Sequence, residues 1–131
     1  MIYLADTHVL LWAFENPDRL SPAQHEAWRA ARAGTAVRVS DITLWEIATL
    51  VHLERIRLAL PLRVWLDKAV APPLVELVRM TPAIAAEVAA LPRTFHRDPA
   101  DRTIVATARV LGATLLTSDG PIIESGLVPT L

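Results

Sequence analysis

The sequence predicts an α/β fold built on a short-stranded parallel sheet. Brief apolar runs of strand length alternate with helical patterns, and several runs are apolar without the in–out alternation of a half-exposed sheet. No internal repeat, low-complexity tract or linker interrupts the series, so the 131 residues are expected to form one domain, 1–131. Apolar residues make up 53% and charged residues 21%, a balance that excludes a disordered chain. The absence of cysteine excludes disulfides and thiolate metal sites. No apolar run reaches membrane-spanning length, and no basic segment precedes Ile2, so a soluble cytoplasmic protein is expected. The net charge of −1 gives no global attraction to nucleic acid. Cations are twelve arginines and Lys68, a bias that suits bidentate phosphate contacts but follows equally from genome composition.

The elements follow in order. Met1 to Ala5 is a near-continuous apolar run, a buried strand ending at Asp6. From Thr7, the pattern Val9, Leu10, Trp12, Ala13, Phe14 turns helical, and Asn16-Pro17 closes it. Ser21-Pro22-Ala23-Gln24 is a capping box for a second helix through Trp28 that stops at Gly34. Ala36 to Val39 is the next strand. The helix from Ile42 to Leu53 is apolar nearly all round, which predicts burial, with Trp45 in the core. Glu54 to Arg57 is a polar turn, Pro61 to Ala71 a helix carrying Trp65, and Leu74 to Met80 a third strand. Thr81-Pro82 begins a helix through Leu91, and Arg93 to Arg97 is a basic loop. Asp98-Pro99 starts a helix that Gly112 ends, with Asp98 as N-cap. Ala113 to Thr117 is a strand leading to Ser118-Asp119-Gly120. Pro121 to Glu124 is a short turn or helix, and Leu127-Val128 a last strand.

Four carboxylates stand in places where an ionised group is costly unless something positive meets it. Asp6 and Asp119 each follow a buried strand, and in open parallel sheets the ligand site lies beyond the carboxyl ends of the strands. Asp101 shares one helical face with Ile104, Val105 and Ala108. Glu46 is the only charge between Asp41 and His52. Each has a plainer explanation: Asp6 as a helix cap, Asp101 as a partner of the helix dipole, Asp119 as a turn residue. Glu46 resists one, because a lone carboxylate in an apolar helix is rarely accidental. Gathered together, such acids call for hard divalent cations such as Mg²⁺ or Mn²⁺, which take oxygen ligands and can activate water for in-line displacement at phosphorus.

Asp6 after the first strand, Ser40-x5-Glu46 on a helix, Asp101-x2-Ile104-x3-Ala108 and Thr117-Ser118-Asp119 together resemble the PIN-domain ribonucleases. The phrase His96-Arg97-Asp98-Pro99-Ala100-Asp101-Arg102 resembles the version in VapC-type toxins of toxin–antitoxin pairs. The likeness spans essentially the whole chain, and Val105 departs from it where alanine is commoner. It implies a three-layer α/β/α fold, Mg²⁺- or Mn²⁺-dependent endoribonuclease activity, inhibition by a cognate antitoxin and a tendency to form a homodimer. By that likeness Asp6, Glu46, Asp101 and Asp119 are the catalytic, metal-binding acids. Asp98 matches an extra acid found in part of the family, and Thr7, Ser40 and Thr117 stand where hydroxyls orient ligands or water.

Arg93, Arg97 and Arg102 are candidate phosphate contacts, or else solvated or paired charges. His96 is a candidate RNA contact or a packing residue; the four histidines form no zinc-binding spacing. Trp12 is either core or part of a partner groove, with Leu11, Phe14 and the helix around Trp45 as a candidate apolar wall for an amphipathic antitoxin segment. Two rival readings are a catalytically silent PIN-like module that binds RNA or protein, and a metal-dependent phosphohydrolase acting on a small substrate. The full acidic set speaks against the first, and the lack of a Gly-rich phosphate loop against the second.

Overall fold

The computed structural model describes residues Met1–Leu131. Its centre is a four-stranded parallel sheet in the order β3-β2-β1-β4. The strands are β1 (Tyr3–Ala5), β2 (Val37–Ser40), β3 (Val75–Val78) and β4 (Thr114–Leu116). Seven helices surround it: α1 (Thr7–Glu15), α2 (Pro22–Arg32), α3 (Asp41–His52), α4 (Leu62–Ala69), α5 (Pro82–Ala90), α6 (Pro99–Leu111) and α7 (Gly120–Ser125). Adjacent strand residues face opposite sides. Leu4 and Leu115 therefore join one core with Ile104, Val105, Ala108 and Ile122, while Ala5 and Leu116 join another with Val9, Leu10, Trp28 and Ile47. The result is three layers, α/β/α. No helix is long and apolar enough to cross a membrane.

The strand order makes β1 the pivot. The chain runs from β1 to β2 and β3 on one side, and β4 returns to the other side of β1. Order reverses between β1 and β4, and at such a switch point the connections diverge and leave a crevice beyond the carboxyl ends. Ala5 pairs with Leu116, so Asp6 and Thr117, the next residues of each strand, lie side by side at that edge.

Local chemistry sets the helix ends. Asp98 Oδ1 accepts from the backbone N–H groups of Ala100 and Asp101 (2.9 and 3.1 Å), and Pro99 needs no such bond at the first helical position. Gly112, with φ +63°, ends α6 in the left-handed conformation. Ser21 and Gln24 form the reciprocal capping box of α2.

Three expectations are corrected. Leu127-Val128 is not a strand: the last pairing is a single parallel bridge between Thr130 and Leu115, reached after the turn at Gly126. Nor is α3 buried all round. Only Thr43 and Ile47, one turn apart, are fully buried, and Trp45, expected in the core, is 56% exposed. Ile42 and Leu50 are half-buried against the two cores, and Trp45 is the large apolar residue of this helix that stands exposed. Leu11, expected on an outer wall, is buried in the core, while Phe14 stays partly exposed and packs edge-on against Trp28 and Trp65.

Candidate active site

Asp6 sits where β1 gives way to α1. It is 5% exposed, and both its oxygens are held: Oδ1 accepts from Thr7 N–H (2.6 Å) and Oδ2 from the Thr117 hydroxyl (2.7 Å). The Thr117 hydroxyl in turn accepts from the N–H of Asp119 (3.1 Å). Thr117 thus ties the acid after β1 to the acid after β4, while Asp119 Oδ1 caps α7 through the N–H of Ile122. Ser40 ends β2 and caps α3 through the N–H of Ile42, which fixes the direction in which α3 carries Glu46.

The carboxylates lie near enough to perturb one another. Burial raises the pKa of Asp6, with Asp119 adding to the rise and the Thr117 and Thr7 bonds opposing it. Burial likewise raises Glu46, reinforced by Asp6 and Asp98. The Thr7 hydroxyl lies close enough to oppose that rise, although its short contact is with Thr43 Oγ1 at 3.1 Å. Asp101 is pushed up to about 8, first by burial and then by the charges of Asp6, Asp98, Asp119 and Glu46. None of these five acids is paired with a lysine or arginine; the arginine ion pairs lie at Glu26, Glu76, Asp67 and Glu87. Glu46 Oε1 is buried with no hydrogen-bond partner.

These features fit a divalent cation. Glu46, Asp98 and Asp101 each bring a carboxylate oxygen within 4.8 Å of the others. An orphaned oxygen and like charges without a counter-charge are what a hard cation would relieve. Ile104, Val105 and Ala108, on the same face of α6 as Asp101, are fully buried and anchor that face in the core.

The other expected residues divide. Arg102 is drawn into the scaffold: its guanidinium donates to the carbonyls of Val88, Leu91, Pro92 and Phe95 at 3.2–3.4 Å, closing the end of α5 and bracing the following loop. Arg93 and Arg97 remain exposed on that loop. His96 Nε2 lies 2.8 Å from Asp101 Oδ2. Sequence reasoning missed two residues. Thr43, one turn before Glu46, holds the Thr7 hydroxyl. Gln24 is 1% exposed and donates to the carbonyl oxygens of Thr117 (3.4 Å) and Leu131 (3.1 Å) and to Ser118 Oγ (3.4 Å), steadying the turn that leads to Asp119. The signal was present, since Gln24 shares the stripe of Ala27, Trp28 and Ala31 and is its only polar member.

The chain is thus a parallel α/β domain whose acids gather at its switch point, a donor set suited to a hard cation. Residues 3–124 match the PIN domain family, and the chain belongs to it. It is similar to Ribonuclease VapC22 of Mycobacterium tuberculosis, with 41% identity over 88% of this chain and 85% of that protein. Among solved structures, it resembles a chain of VapBC2 from Rickettsia felis bound to a promoter DNA fragment, with a TM-score of 0.73, 16% identity, and 100% and 98% of the two chains covered. A chain of FitAcB from Neisseria gonorrhoeae matches with a TM-score of 0.65 and 22% identity over 99% and 96%. At these identities the structural matches establish the fold.

Proposed function

We propose that this protein is a Mg²⁺- or Mn²⁺-dependent endoribonuclease and the toxin of a toxin–antitoxin pair, acting in the cytoplasm. The observation that carries the reading is the acidic cluster itself: four acids crowd around Asp101 with no lysine or arginine to neutralise them. Its family, its likeness to a protein named as a ribonuclease, and solved relatives named as toxin–antitoxin complexes support it. Asp6, Glu46, Asp101 and Asp119 are the residues that would hold the cation. When bound, the cation supplies Lewis acidity, favouring ionised water near neutral pH and offsetting phosphate charge.

The chain's own groups do the rest. Thr117 and the Thr7 N–H fix the Asp6 carboxylate, so little reorganisation is needed when charge changes in the crevice. Asp98 orders the first turn of α6 and so sets the position of Asp101. Arg93 and Arg97 receive flanking phosphates of the RNA. Hydrolysis adds the hydroxyl of water to phosphorus, breaks one P–O ester bond and leaves the remaining proton with the departing oxygen. Exposed Trp45 on α3, with Phe14, receives an amphipathic segment of the antitoxin. The protein tends to form a homodimer.

The test is incubation of purified protein with RNA, with Mn²⁺ and with Mn²⁺ plus EDTA. Cleavage in the first and none in the second is expected. RNA binding without cleavage under either condition would make the protein a silent binding module instead.

A further inference from the structure

We infer that His96 supplies a nitrogen ligand to the metal centre, making it a mixed nitrogen–oxygen site rather than a purely carboxylate one. The inference rests on the metal reading above and extends it to a residue outside the acidic set. His96 Nε2, Asp101 and Asp119 each offer a donor atom within 4.8 Å of the others, a group distinct from that of Glu46, Asp98 and Asp101 but sharing Asp101 with it. Although Nε2 lies 2.8 Å from Asp101 Oδ2, the contact lacks the alignment of a hydrogen bond, and the nitrogen is buried with no other partner. A buried ring nitrogen whose one close neighbour is a carboxylate oxygen that it does not hydrogen-bond is uncommon enough to require a reason. Neighbouring ligands of an octahedral ion, each about 2.1 Å from it, lie about 3 Å apart, which matches this spacing.

The scaffold holds the ring there. Arg102 braces the loop before it through four carbonyls, and the imidazole packs against Phe95 at 5.1 Å between ring centroids. His96 is thus fixed on one side by the end of α5 and on the other by the first turn of α6. Imidazole favours ions such as Co²⁺ and Ni²⁺ over Mg²⁺, whereas carboxylates alone suit Mg²⁺ and Mn²⁺.

The test is pulsed electron paramagnetic resonance on the full chain loaded with Mn²⁺, together with Mg²⁺ and Co²⁺ titrations. Wild type is expected to give nitrogen coupling to the manganese, lost in His96→Gln and kept in His8→Gln, a necessary control because His8 lies near Asp6 and Glu46. His96→Gln should bind Co²⁺ about tenfold more weakly and Mg²⁺ within about threefold of wild type, because an amide oxygen replaces the nitrogen. No nitrogen coupling in wild type, or coupling that vanishes with His8→Gln and survives His96→Gln, overturns the inference. If His96→Gln fails to fold, the wild-type and His8→Gln spectra decide alone. RNA cleavage without nitrogen coupling would defeat this inference and leave the ribonuclease reading standing; coupling without cleavage would do the reverse.

Discussion

Asp101 is the residue on which stability and activity pull in opposite directions. Its carboxyl titrates near 8 in the folded metal-free protein, against 3.8 for an unperturbed group, because burial and four neighbouring acids disfavour its charge. Between those values the folded state holds a proton that the unfolded state has released. Stability of the metal-free protein therefore falls as pH rises from about 4 to about 8. Thermal melting in EDTA across that range should show the decline, and saturating Mn²⁺ should flatten it by favouring the ionised form. Asp101→Asn keeps the shape and removes the charge, so its metal-free melting temperature at pH 8 should be equal to or above that of wild type. An unchanged pH slope in Asp101→Asn would place the dominant titration elsewhere.

At the scale of elements, the two ends of α6 have different tasks. Asp98→Asn should change stability by only a few tenths of a kcal/mol, since asparagine caps nearly as well, while Asp98→Ala should cost about 1 kcal/mol. Arg102→Leu strips the donor from four carbonyls and should cost about 1–3 kcal/mol by chemical denaturation. These caps show what the sequence made legible. Asp98-Pro99, Ser21 to Gln24 and Gly112 announce helix ends through local bonding, and β1 and β4 stand out as short, nearly continuous apolar runs. Burial of α3 was not legible in the same way, because an apolar composition states what a helix can cover, not how much surface the sheet presents. The terminal bridge at Thr130 was equally hidden, depending on where the chain travels after Gly126. Among site residues, Glu46 and Asp101 stood out as charges on apolar helical faces. Arg102 looked like a phosphate contact because sequence displays its charge but not the carbonyls at and beyond the end of α5 that claim it.

For the whole molecule, one crevice and one apolar face should be separable. Trp45 is exposed on α3, the helix that carries Glu46, so a partner covering this face also approaches the acids. Trp45→Glu should weaken the antitoxin complex by at least tenfold, the order expected for losing an aromatic anchor, while leaving Mn²⁺-dependent cleavage near wild type. Titration with the cognate antitoxin by light scattering or calorimetry checks the first part, and an unaltered affinity would place the interface elsewhere. The fold explains why the acids meet at all: strand order reverses between β1 and β4, Thr117 bridges Asp6 to Asp119, and α3 and α6 lean Glu46 and Asp101 over the gap. The most direct measurement is therefore the rate of RNA cleavage in Mn²⁺ by wild type and Asp101→Asn, both confirmed as folded by thermal melting. The expected result is a fall of at least about a hundredfold in the variant, the scale of lost transition-state charge stabilisation, with wild-type activity abolished by EDTA. Cleavage by Asp101→Asn at the wild-type rate would contradict a metal-assisted site centred on that carboxylate.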